Sequence, residues 1–218
     1  IDSAGSFNND SGFSIVSYTG TGSAGSIKHG MNIAPKMVIV KSRSGTGEWI
    51  TWHTGINIQA KLSLNTTDAI YNPGSGIYWN STLPTSSVFS VGTSGSLNGN
   101  GVTYIAYCFA DVQGYSKFGS YTGNGNANGT FVYTGFKPAY VMLKRTDAAG
   151  ERWNIKDNKR DGYNQTDPVL TADSSGAEYD DAQMDLLSNG FKIRTSAVST
   201  NASGGTYIYM AFAENPFV

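Results

Sequence analysis

The sequence predicts an all-β chain: two tandem β-sandwiches of jelly-roll or lectin-like type, arising from an internal duplication of about 103 residues. Three observations predict it. First, the apolar run Tyr104-Ile105-Ala106-Tyr107-Cys108-Phe109-Ala110 returns as Tyr207-Ile208-Tyr209-Met210-Ala211-Phe212-Ala213, 103 residues later. Second, other blocks return in the same order at offsets of 102 to 104. Third, with 27 glycines and only 14 % charged residues, short apolar pieces alternate with Gly, Asn, Ser and Pro, as in strands joined by tight turns. A repeat this long is a whole small domain rather than a solenoid unit.

Residues 1–11 are small and polar and read as a linker or the end of an upstream domain. The first repeat is placed at 12–112 and the second at 113–218. Gly12 to Tyr18 reads as a strand leading into the turn Tyr18-Thr19-Gly20-Thr21-Gly22, whose copy is Tyr121-Thr122-Gly123-Asn124-Gly125. Ile27 to His29 reads as a short strand. Lys36-Met37-Val38-Ile39-Val40-Lys41 after Pro35 answers to Ala139-Tyr140-Val141-Met142-Leu143-Lys144 after Pro138. Trp49-Ile50-Thr51-Trp52 answers to Trp153-Asn154-Ile155, and Val88-Phe89-Ser90-Val91 to Gly190-Phe191-Lys192-Ile193. Each repeat then closes on its long apolar run, which reads as a strand covered on both faces. The repeat therefore nominates Tyr104, Ile105, Phe109, Tyr207, Ile208, Phe212, Trp49 and Trp153 as core. The one helical expectation is Ala177 to Leu187, with Ala182, Met184, Leu186 and Leu187 apolar.

A net charge of −1 supplies no field for nucleic acid or an anionic membrane. No apolar segment approaches the roughly 18 residues a membrane-spanning helix needs. The single cysteine, Cys108, lies inside an apolar run and reads as a small buried hydrophobe. The chain opens at Ile1, which fits a processed terminus or a piece of something longer. His29, His53 and Cys108 have no zinc spacing. Asp157, Asp161 and Gly162 resemble a calcium loop only loosely: Lys159 stands where a ligand oxygen is wanted and no closing Glu follows, so a hydrogen-bonded turn is the better reading. Of the acidic residues that a glycosidase could use (Glu48, Asp68, Glu151, Asp180, Asp181, Asp185), none is marked by a motif. No nucleophile elbow or phosphate loop is present. The expectation is a non-enzymatic protein with no metal and no cofactor.

Between the matched blocks, residues 55–87 and 157–189 diverge, and divergent loops on equivalent scaffolds are where specificity sits. Trp79, Tyr163 and Tyr179 have no counterpart in the other repeat. An aromatic face stacks on a sugar ring while Asn and Asp bond its hydroxyls, so Trp79, Tyr163, Tyr179, Asp161 and Asn164 are the candidate ligand-binding residues.

Several segments together resemble a family of uncharacterised repeat domains in tailed-phage structural proteins, common in viruses of marine bacteria. They are Gly12-Phe13-Ser14-Ile15-Val16 with Tyr18-Thr19-Gly20, then Tyr104 to Ala110, then Gly114-Tyr115-Ser116-Lys117-Phe118-Gly119-Ser120-Tyr121-Thr122-Gly123-Asn124-Gly125. Lys159-Arg160-Asp161-Gly162-Tyr163-Asn164, Leu187-Ser188-Asn189-Gly190-Phe191-Lys192 and the ending Ala211-Phe212-Ala213-Glu214-Asn215-Pro216-Phe217 fit the same pattern. The resemblance implies a virion protein, in a tail or tail fibre, with other virion proteins as partners. It carries no catalytic residues to this chain. A fibre would be a homo-oligomer, trimeric in the usual case, and a receptor-binding module would meet host surface carbohydrate. The alternatives are a purely structural virion module (capsid decoration, shaft or spacer) and, third, a polysaccharide depolymerase.

Overall fold

A computed structural model describes residues 1–216; of Ala182 it describes the backbone alone. Phe217, the last residue of the phage-like ending, lies outside the described residues. The chain is all-β: the described residues form sixteen strands and two helices of four residues each. It divides into two compact units, Ile1–Leu64 with Ile70–Asp111, and Asn65–Ala69 with Val112–Val218. The short segment 65–69 therefore belongs with the second unit, although it falls in sequence within the predicted first repeat. The Gly150 N–H donates to the Thr67 carbonyl at 2.9 Å and ties it there.

The first unit contains β1 (Ser3–Asn8), β2 (Phe13–Thr19), β3 (Gly25–Lys28), β4 (Met37–Ser42), β5 (Ile50–His53), β6 (Leu62–Ser63), β7 (Val88–Val91), α1 (Gly95–Asn98) and β8 (Thr103–Phe109). Its main sheet is antiparallel, in the order β1-β2-β8-β4-β5-β6, and β3 pairs with β7 separately. Residues 3–8 are thus an edge strand and not a linker. Their side chains carry no strand pattern, but the backbone pairs with β2 in continuous register from Ser3↔Tyr18 to Asn8↔Phe13. Gly5 permits the approach, because a Cβ there would meet the Ile15 carbonyl oxygen at 2.3 Å.

The second unit contains β9 (Ser116–Thr122), β10 (Phe131–Tyr133), β11 (Pro138–Arg145), β12 (Trp153–Asp157), β13 (Thr166–Thr171), β14 (Tyr179–Leu187), β15 (Gly190–Ile193), α2 (Val198–Asn201) and β16 (Thr206–Ala213). They form one sheet, in the order β10-β15-β14-β13-β12-β11-β16-β9, which curls into a near-barrel. Its core includes Tyr121, Val141, Leu143, Met184, Phe191 and Tyr207. The predicted helix over 177–187 is instead the long strand β14. Its pairing with β15, Met184↔Ile193 and Leu186↔Phe191, buries Met184 and Leu186, an alternation of period two.

Of the nominated core residues, Tyr104, Tyr207, Ile208 and Trp153 are fully buried. Ile105, Phe109, Phe212 and Trp49 are only half-buried. In β8 the alternate residues Tyr104, Ala106 and Cys108 face the core, so one face is covered more fully than the other. Burial pushes the Cys108 thiol up to about 12, in keeping with a small apolar filler.

One set of contacts occurs in both units, 103 residues apart. In the first unit the Asn98 Oδ1 accepts the Thr21 N–H at 2.8 Å, and its Nδ2 donates to the carbonyls of Ser23 (2.6 Å) and Gly92 (2.7 Å). In the second, the Asn201 Oδ1 accepts the Asn124 N–H at 2.9 Å, and its Nδ2 donates to the carbonyls of Asn126 and Thr195, both at 2.8 Å. The Tyr104 hydroxyl donates to the Gly95 carbonyl and accepts the Gly99 N–H, and the Tyr207 hydroxyl does the same with Val198 and Ala202. The Tyr18 and Tyr121 hydroxyls reach the Leu97 and Thr200 carbonyls, each at 2.7 Å. The rings stack in pairs, Tyr18 on Tyr104 at 5.2 Å and Tyr121 on Tyr207 at 4.9 Å. Phe89 and Phe191 stand edge-on to Tyr18 and Tyr121.

Asn98 and Asn201 are fully buried, and each bonds its carbonyl and both amide hydrogens. Replacing either by Ala removes hydrogen bonds to two carbonyls and one N–H that a fully buried side chain now satisfies, so Asn98→Ala and Asn201→Ala should each cost about 2 kcal/mol or more. Urea unfolding checks this, with Ser96→Ala, at an exposed position of α1, as the control that should leave the midpoint in place.

Candidate binding site

The loop between β12 and β13 carries three of the five candidate binding residues. Asp157 starts it: its Oδ1 accepts the N–H groups of Lys159 (2.8 Å) and Arg160 (3.0 Å), and its Oδ2 takes the Arg160 Nε at 2.6 Å. Arg160 also donates to Glu178 at 2.9 Å and to the Ile155 carbonyl at 3.0 Å. Asp161 accepts the Asp167 N–H at 3.0 Å, closing the loop on itself. The Asn164 side chain stands in for a strand neighbour, donating to the Leu186 carbonyl at 3.1 Å and accepting the Leu186 N–H at 2.9 Å. Asp161 and Asn164 thus hold the loop's shape. Between them Gly162 takes a left-handed turn with φ 76°, and Tyr163 projects at 79 % exposure.

Tyr163 borders a small cavity of about 60 Å³ shared with Lys137, Asn158, Asn164, Thr166 and Leu186. Its polar groups are fixed. Glu214 pairs with Lys137 at 2.8 Å and accepts the Asn158 Nδ2 at 2.7 Å. The Lys137 ammonium holds the Glu214 carboxyl below its usual range. Among the described residues the buried Asn158 Oδ1 has no hydrogen-bond partner. An exposed ring beside ordered donors and acceptors suits a ligand with one apolar face and several hydroxyls.

The other two candidates lie elsewhere. Trp79 is 2 % exposed, and its Nε1 donates to the Ala60 carbonyl at 3.0 Å. It fills the interior of the first unit and cannot meet a ligand there. Tyr179 is 40 % exposed on β14 opposite Val169, near Arg152, Asp173 and Asp181 rather than beside Tyr163. Lys137, Asn158 and Glu214 were not singled out by sequence reasoning, because they join Tyr163 only through folding.

The β13–β14 hairpin that supports this loop is pinned by a buried lysine. Lys156 is fully buried, and its ammonium donates to the carbonyls of Thr166 (3.3 Å), Asp167 (2.7 Å) and Asp181 (2.5 Å). The β13–β14 register breaks between Thr166 and Pro168, so carbonyls there need donors that the ladder does not give. Burial lowers the Lys156 pKa to about 8. Lys144, also buried, donates to the Arg145 carbonyl at 2.9 Å, and burial likewise lowers it to about 8.

Among the described residues no group of three or more His, Cys, Asp or Glu side chains comes together as a metal site. The sequence matches a domain of unknown function (DUF7483) over residues 1–216. The chain belongs to the DUF7483 family. No curated protein and no solved structure matches it. The match begins at residue 1, so the family domain includes the edge strand β1.

Because the Lys156 pKa falls from 10.5 to about 8 on folding, the unfolded chain binds this proton more tightly than the folded one between those values. The group therefore makes stability rise with pH across that window. Lys156→Met should lower stability by about 3 kcal/mol at pH 7 through unsatisfied carbonyls. It should also remove that rise, so the gap to the wild type widens toward alkaline pH. Urea midpoints measured at intervals from pH 7 to about 10 check this; parallel curves would refute the linkage.

Proposed function

We propose that this chain is a non-enzymatic recognition module of a tailed-phage virion, a tail-fibre segment that meets host surface carbohydrate. The observation that carries the reading is Tyr163, 79 % exposed on a loop that Asp157, Asp161 and Asn164 tie down. Rigid anchoring of the loop by Asp157, Asp161 and Asn164 keeps the ordering cost of binding small. The placement in a virion rests on the motif resemblance. The reading includes two sandwich-type units derived from one duplicated segment of about 103 residues, supported by the contacts that recur at that spacing. One exposed ring gives weak affinity at a single site, and repeated copies in a homo-oligomeric fibre, a trimer in this reading, raise it by avidity.

A purely structural virion module is the second reading. The burial of Trp79 favours it, since that removes one of three aromatics on which recognition was predicted. A depolymerase is third and would show release of reducing ends from host polysaccharide.

The test is binding of the whole chain, presented multivalently, to a panel of bacterial surface glycans. Tyr163→Ala should weaken saturable binding by about tenfold or more, equivalent to about 1.4 kcal/mol. Tyr133→Ala, at another exposed tyrosine, should not. Absence of binding in multivalent form would overturn the recognition reading in favour of the structural one.

A further inference from the structure

A second cavity lies in the first unit, about 260 Å³ in volume, between the loop after β4 and the start of α1. Its walls are Ser42, Ser44, Thr46, Glu48, Ser96 and Val102, with the backbone of the glycines among them. The lining is hydroxyl-rich, and Val102 is its one apolar side chain.

Comparison with the second unit shows how the space arises. At 103 residues on, Ser42 and Ser44 correspond to Arg145 and Asp147. There the Arg145 guanidinium lies across the Asp147 carboxylate in a two-pronged pair, with Nε at 2.9 Å and Nη2 at 3.4 Å. The backbone bond beneath is common to both units: Arg43 N–H to the Thr103 carbonyl at 2.8 Å, Thr146 N–H to the Thr206 carbonyl at 2.9 Å. Even the capping bond is kept, since Ser44 Oγ accepts the Thr103 N–H at 3.1 Å and Asp147 Oδ1 accepts the Thr206 N–H at 3.3 Å. The scaffold is therefore equivalent, and two serines replace an ion pair on it.

Glu48 is oriented in this cavity. Its Oε2 accepts the Ser63 hydroxyl at 2.5 Å and pairs with the Lys61 ammonium, while its side chain stays 42 % exposed. The carboxylate is thus oriented yet exposed enough to accept a further hydrogen bond. Lys61 neutralises the carboxylate, and the nearby Lys41 ammonium is engaged by the Ser42 and Gly45 carbonyls at 2.9 and 3.3 Å, so neither charge is left unpartnered to draw in an ion. Its volume is below the range of about 300–1,000 Å³ for drug-sized ligands, so it fits a smaller molecule.

We infer that this cavity binds a neutral, hydroxyl-rich ligand the size of one sugar residue, with Glu48 and the serine and threonine hydroxyls as its partners. The inference shares a ligand class with the Tyr163 reading but stands on separate residues in a separate unit.

The experiment titrates ¹⁵N-labelled Tyr163→Ala chain with glucose, galactose and N-acetylglucosamine, following the amide signals of Gly45, Gly47, Gly95 and Ser96. The Tyr163 background silences the other site, so failure here and failure there are read separately. At least one sugar should give saturable shifts at these amides. The double variant Ser42→Arg/Ser44→Asp, which installs the pair that the second unit carries, should abolish them while the rest of the spectrum superimposes. If that variant does not fold, Ser96→Phe at the exposed rim should abolish them instead. Glu48→Gln should weaken binding by about tenfold, the loss expected for a bond to a charged acceptor. No shift with any of the three sugars, or undiminished binding in the filled variants, would overturn the inference.

Discussion

Two buried asparagines, Asn98 and Asn201, hold the architecture together. Each closes a four-residue helix that is too short to be stable by itself, since helix nucleation is unfavourable and such a piece gains almost no internal bonds. The asparagine replaces the missing bonds. It joins the helix to the turn after the first long strand (Thr21 and Ser23, or Asn124 and Asn126) and to the chain after the β7 or β15 strand (Gly92 or Thr195). The stacked tyrosines complete the clasp, placing hydroxyls on the same helix from β2 and β8, or β9 and β16. Gly20 and Gly123 are required beside it, because a Cβ would meet the Gly99 or Ala202 carbonyl oxygen at 2.4 or 2.3 Å.

With the clasp fixed, the rest of each unit is free to differ. In the first unit β3 and β7 form a sheet of their own. In the second, β13 and β14 stand between β12 and β15 and make the sheet continuous. Register shows the accompanying exchange: Val38 pairs with Trp52 in β5, whereas its counterpart Val141 pairs with Lys156 in β12. A buried indole fills space. A buried ammonium must find acceptors, and the irregular β13–β14 ladder supplies three carbonyls. The lysine and the hairpin depend on each other, and the Tyr163 loop grows from that hairpin.

Most of the strand framework was legible in the sequence because apolar blocks recur wherever a strand faces the core. Residues 3–8 were not, since an edge strand needs only backbone partners. Tyr179 to Leu187 misled because several charged residues surround Met184 and Leu186, and so short an alternation resembles one helical turn. Trp79 misled for a different reason. Lack of a counterpart marks divergence, and divergence occurs inside as well as outside: this indole packs within a loop region that the second unit does not share. The asparagine clasp left a signal that could have been found, an Asn at the same 103-residue spacing as Tyr18 and Tyr121, hidden because the flanking residues read only as turn formers. The Lys137–Glu214–Asn158 cluster left none, because its members are brought together by the sheet alone.

The two candidate sites differ in kind, and the difference follows from how each unit closes. The second unit spends its chain on β13 and β14, which carry a projecting loop and an exposed ring beside a small cavity. At the position that corresponds to the first unit's cavity it fills the rim with Arg145 and Asp147. The first unit has no such hairpin and no such pair, so its rim stays open around Glu48. A carboxylate kept at both positions, Glu48 and Glu151, is compatible with either arrangement. What decides between an open and a filled rim is whether small hydroxyls or a bidentate ion pair cap the same backbone amide, a change of two side chains that leaves the hydrogen-bonded framework intact.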